Sequence, residues 1–94
     1  MGGRSGISGR EAMYNAEISR RVEELRVKRN VQKAVLARAA GVSQPMLRAY
    51  EVGTTRWPVF RVRLIAGFLG ADVEDLMPET KTYVNEMQIQ EDLF

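Results

Sequence analysis

The stretch LARAAGVSQPMLRAYEVG, Leu36 to Gly53, decides how this chain folds. It reads as an apolar helical run, a break at Gly41, and a second helical run preceded by a serine. Gly41 stands in the terminating position of the first run, where a positive φ costs a glycine nothing. Ser43 caps the second helix, and Pro45 is tolerated because the first turn of a helix has no intrahelical N–H bond to lose. That helix is expected to run from Gln44 to Val52 and to stop at Gly53. Small Ala37 lets the second helix approach, Gly41 makes the turn, and Leu47 plugs the second helix into the core. This is the spacing a helix-turn-helix needs to hold two helices at a steep angle, although any helical hairpin could mimic it.

Working outward, Ile18, Val22 and Leu25 recur at the helical period between charged residues, so a first helix is expected over Ala16 to Arg29, ending near Asn30. The second spans about Gln32 to Ala40, with Val35, Leu36 and Ala39 inward. After the loop GTTRWP, Pro58 opens a fourth helix in which Phe60, Leu64, Ile65, Phe68 and Leu69 are spaced to face a core and Gly70 is the stop. Asp72 and Asp75 make a start resembling a capping box for a short fifth helix, Val73 to Met77, closed by Pro78. The fold class is therefore all-α: a compact five-helix bundle containing a helix-turn-helix. The tail ETKTYVNEMQIQEDLF fits a helical stripe and also alternates tolerably as a strand, and the sequence leaves both open.

Ninety-four residues make one small domain with one core. Residues 1–12, rich in Gly, Ser and Arg, read as a flexible arm or an expression remnant, residues 13–78 as the folded domain and residues 79–94 as a tail for dimerisation or partner binding. No apolar segment approaches the roughly 18 to 20 residues of a membrane span, and the N-terminus lacks a signal-peptide core, which points to a cytoplasmic protein. There are no cysteines and no histidines. That removes disulfides, thiol nucleophiles, thiolate zinc sites and the usual imidazole acid and base. No glycine-rich phosphate loop or metal-ligand cluster is present either, so no catalytic residue, metal or cofactor is expected. Asp72, Glu74 and Asp75 are explained as capping and solvated acids. Net charge is only +2, but residues 1–63 hold 13 Lys/Arg against five acids, a balance of +8, while residues 64–94 hold one Lys against seven acids, a balance of −6. A basic front and an acidic back suit a module that sets one face against a polyanion.

The segments ISRRVEELRVKRN, LARAAGVSQPMLRAYEVG and WPVFRVRLIAGFLGADVEDLM resemble the lambda-type repressor and Cro family of helix-turn-helix regulators, most of all the compact lambdoid phage repressors, over about Ile18 to Pro78. The resemblance implies a dimeric transcriptional regulator, a repressor of phage or bacterial type, that binds palindromic double-stranded DNA through the major groove. Gln44 stands where similar proteins carry a base-reading glutamine, whose amide pairs bidentately with adenine. Other base-reading positions fall on Pro45 and Ala49, with Met46 beside them and Arg48 able to reach guanine or the backbone. Lys33, Ser43, Thr54, Thr55 and Arg56 are the expected phosphate contacts. Lys33 replaces the usual glutamine and cannot buttress Gln44 through an amide network. Arg26 and Glu51 are implied to form a partly buried ion pair that fixes how the helices meet.

Trp57, Val59 and Phe60 are expected at a subunit contact, with core packing and stacking on DNA as the alternatives for Trp57. The ending QEDLF resembles the peptide by which bacterial proteins dock in the DNA polymerase sliding clamp, which makes Gln90, Leu93 and Phe94 candidate partner-binding residues; packing of the tail on its own domain or its dimer partner is the first reading, and a disordered tail is the third. A second function class follows: a protein-interaction module on the same fold, holding a toxin, another repressor or the clamp, with DNA binding weakened by Pro45 and Ala49.

Overall fold

The computed structural model describes residues 9–83. The chain forms α1 (Gly9–Lys28), α2 (Lys33–Ala40), α3 (Gln44–Val52), α4 (Val59–Leu69) and α5 (Val73–Leu76), followed by a 3-10 turn at Thr80–Tyr83. The long α1 packs on α3, α4, α5 and the 3-10 turn, while α2 packs on α3 and α4. One core fills the space between them. Its fully enclosed side chains are Ile18 and Val22 from α1, Leu36 from α2, Leu47 from α3, Val62 and Ile65 from α4, and Leu76 from α5. Each helix thus contributes at least one large apolar anchor, and burying each is worth about 1.5–3 kcal/mol relative to exposure.

The helix ends follow from local chemistry. At the end of α1, Asn30 takes a left-handed conformation with φ 62°, and Val31 N–H donates to the Arg26 carbonyl at 3.1 Å. At the end of α2, Gly41 takes φ 73°, and Val42 N–H donates to the Ala37 carbonyl at 3.0 Å. Both are 6→1 closures of the Schellman type, which return orphaned carbonyls to a donor while the chain turns away. At α5, Asp72 N–H donates to the Asp75 carboxylate at 3.0 Å, the return half of a capping box.

Several expectations are corrected. The first helix starts at Gly9, not near residue 16, so residues 9–12 are not part of an arm. Tertiary partners hold this extra length: Tyr14 meets Tyr83 edge to face with ring centroids 5.3 Å apart, and Asn15 is buried. In α4 the inward stripe is Val62, Ile65, Ala66 and Leu69, whereas Phe60 is 61% exposed and Phe68 49%. Because α4 is apolar around most of its circumference, two stripes compete in the sequence, and only the packing of α2 and α5 selects one. Val35 of α2 is also turned outward, and Ala37 and Ala40 are buried beside Leu36 instead of Ala39. Among the described residues no helix is long and apolar enough to cross a membrane. The QEDLF ending and the helix-or-strand question beyond Tyr83 lie outside the described residues.

Candidate nucleic-acid interface

The interface is built on α3. Leu47 and Tyr50 are buried and fasten the helix to the core, which leaves Gln44, Pro45, Met46 and Arg48 exposed along the opposite side and Ala49 half-buried. The Ser43 hydroxyl oxygen accepts from Met46 N–H at 3.2 Å. Its own hydrogen stays available to an acceptor outside the protein. A shallow groove lined by Lys33, Gln44, Pro45, Leu47, Arg48 and Glu51 joins the start of α2 to α3. Fold geometry therefore brings together the expected base reader Gln44 and two of the expected cations, Lys33 and Arg48. Met46 lies on the same helix outside that groove.

The loop after α3 is organised from α1. Asn15 Oδ1 accepts from Trp57 N–H at 2.7 Å, while Asn15 Nδ2 donates to the Glu11 carbonyl at 2.9 Å. Ser19 Oγ accepts from the Trp57 indole Nε1–H at 2.9 Å and donates to the Tyr50 carbonyl at 3.3 Å. The Tyr50 and Trp57 rings pack with centroids 5.0 Å apart. Trp57 is thus a core residue, 4% exposed, and not a subunit contact; its two N–H groups have partners only inside the domain. Val59 and Phe60, by contrast, are exposed. Thr54 donates its hydroxyl hydrogen to the Ala49 carbonyl at 3.2 Å and so serves the end of α3. Thr55 is half-buried beside it.

The ion pairs differ from those the resemblance implies. Arg26 grips Glu23, with Nη2 to Oε2 at 2.8 Å, and donates to the Val31 carbonyl at 2.6 Å. Glu51 instead receives Lys33 Nζ at 3.3 Å. Glu51 still adds to the field that raises the Arg26 pKa, but hydrogen bonding to Glu23 is the larger cause. The same bond lowers the pKa of Glu23. Arg26 thus pairs with the carboxylate one helical turn before it, and Lys33 reaches Glu51 from the start of α2. Arg56 clasps both carboxylate oxygens of Glu11 in the first turn of α1, and that contact raises its pKa.

Glu11, Asn15, Ser19 and Tyr50 are the site residues that sequence reasoning missed. One signal was present: extending the Ile18 and Val22 stripe backward lands on Asn15, and a polar residue on an inward helical position requires a partner. Among the described residues no group of three or more His, Cys, Asp or Glu is placed to hold a metal ion.

Comparison with known proteins agrees with this geometry. The chain is 29% identical over 68 residues to the cryptic phage CTXphi transcriptional repressor RstR of Vibrio cholerae, a match covering 72% of this chain and 61% of the relative. The chain thus spans less than two thirds of that protein's length. No solved structure matches. The helix-turn-helix family profile matches residues 22–76, which run from the middle of α1 to the end of α5 and make up more than half of the chain. With Ala37, Gly41 and Leu47 forming the turn inside that span, the chain belongs to the helix-turn-helix family.

Proposed function

We propose that this protein is a sequence-specific DNA-binding transcriptional regulator that lays α3 in the major groove and acts as a homodimer in the bacterial cytoplasm. The observation that carries the reading is the division of α3 into a buried side, Leu47 and Tyr50, and an exposed side, Gln44, Pro45, Met46 and Arg48. A helix held by its inner side on a helix-turn-helix scaffold presents its N-terminal residues to base edges. Likeness to a phage transcriptional repressor supports repression as the direction of control. Gln44 is the base reader of choice, since its amide matches adenine N6 and N7. Pro45, Met46 and Ala49 offer apolar contact to a thymine methyl, and Ser43 and Arg48 serve phosphate or guanine.

The test is selection of duplexes from a random-sequence pool at physiological salt. A two-fold-symmetric site with half-sites about one DNA turn apart is expected. Gln44→Ala should cost about 1–3 kcal/mol of discrimination at one base pair and leave the other positions of the site unchanged. No enriched site, with residual binding that vanishes as salt rises, would make the helix-turn-helix a scaffold for a protein partner.

A further inference from the structure

Three cations stand where phosphate would be met: Lys33 at the start of α2, Arg48 on α3, and Arg56 in the loop after it. Two of them already hold a carboxylate of this chain. Lys33 Nζ is 3.3 Å from Glu51 Oε1, and Arg56 engages both oxygens of Glu11. Arg48 makes no ion pair among the described residues. The two carboxylates differ in freedom from their cations. The Glu51 side chain is 14% exposed on the last turn of α3, whereas Lys33 is 46% exposed. Lys33 therefore has more open space around it than Glu51.

Glu11 sits on the N-terminal half of α1, outside the stretch matched by the family. The same two turns carry Asn15 and Ser19, which hold Trp57, the residue next to Arg56. The Glu11 carboxylate is therefore held beside the loop by three contacts on one helix face.

We propose that Glu11 and Glu51 are built-in counterions of the DNA face, which phosphate must displace before Arg56 and Lys33 can engage it. This rests on the DNA-binding reading above and assigns these two residues a role within it. A cation that neutralises a phosphate releases a condensed counterion from DNA and strengthens binding regardless of sequence. A cation that gives up a carboxylate to do so leaves a negative charge against the backbone, and the gain is largely cancelled. Sequence-independent affinity is lowered, and the base contacts of α3 carry a larger share of what remains. Glu11 and Glu51 act through Arg56 and Lys33, so they are positioning residues and touch no base.

The experiment is fluorescence-anisotropy titration of a labelled random-sequence duplex of about 30 base pairs with the full-length chain across a salt series. In E11Q and E51Q, loss of each carboxylate charge should steepen the dependence of log K on log salt by up to about 0.9 per subunit and tighten binding by up to roughly tenfold near 50 mM salt. Adding R56Q to E11Q, or K33Q to E51Q, should return the slope to that of the unaltered chain. Trp57 fluorescence on heating reports folding in parallel; should E51Q fail to fold, the E11Q series decides. Folded variants with an unchanged or shallower slope overturn the proposal while the DNA-binding reading stands. Failure of the unaltered chain and of every variant to bind any duplex overturns both.

Discussion

Trp57 shows how much one side chain organises here. Its ring stacks on Tyr50, its backbone N–H reaches Asn15, and its indole N–H reaches Ser19, so one residue ties the loop after α3 to α1. Ser19→Ala should leave that indole N–H without its partner at the cost of about 1–3 kcal/mol. Urea unfolding followed by fluorescence of the single tryptophan measures it, and a change within about 0.5 kcal/mol would mean that the bond contributes nothing beyond a solvent contact. The aromatic character of Trp57 was legible in the sequence, but its burial was not. A tryptophan after a polar loop fits an interface as well as a core, and the choice is made by Asn15 and Ser19, some 40 residues earlier in the chain. The same holds for Arg26. Glu23 and Glu51 both lie within its electrostatic field, and the folded chain leaves Glu23 as its hydrogen-bonded partner while Lys33 pairs with Glu51.

The turn between α2 and α3 is a matter of local chemistry, and α3 runs from Gln44 to Val52 as its serine cap and glycine stop predict. Gly41 at φ 73° is required there, because a Cβ would meet both left-handed strain and the Arg61 Nη1 atom at 3.0 Å. Arg61 donates to the Ala40 carbonyl at 3.3 Å, so it also closes the end of α2. Gly41→Ala should destabilise the domain by about 1–2 kcal/mol, most of it backbone strain, since the guanidinium is the far end of a flexible side chain and can shift. Ser43→Ala should remove the cap of α3 at about 1 kcal/mol. Thermal denaturation of both variants checks this; equal melting of all three proteins would mean that the turn is held by packing of Leu47 alone. For α4, element existence was plain from the sequence and its orientation was not, because Phe60, Leu64 and Phe68 repeat at the helical period as convincingly as Val62, Ile65, Ala66 and Leu69.

Over the whole chain, the outward side of α4 carries exposed Val59, Phe60 and Phe68, and no acidic residue occurs from Val52 to Ala71. The exposed apolar residues that follow the loop after α3 are candidates for the two-fold pairing proposed above. Val59→Asp combined with Phe60→Asp should convert a dimer into a monomer in sedimentation velocity, with unchanged melting at dilute concentration. A variant that remains dimeric places the contact elsewhere. The charge division between residues 1–63 and 64–94 is a division along the chain and not between faces: Asp75 lines one groove with Arg20, Arg21, Lys28 and Arg29.

What the sequence by itself determined is whatever depends on neighbours along the chain: where α3 begins and ends, the bounds of α2, α4 and α5 to within one residue, the left-handed turn at Gly41, and the identity of the helix that faces outward. Capping, glycine stops and helical periodicity act over a few residues, so they are visible without a fold. Only the tertiary structure decided that α1 reaches back to Gly9, that Trp57 is interior, that Phe60 and Phe68 face out, and that Lys33 and Arg56 spend their charge on Glu51 and Glu11. Each of these is a competition between alternative partners distant in sequence, and its outcome is set by which of them the packed helices bring within a few ångströms.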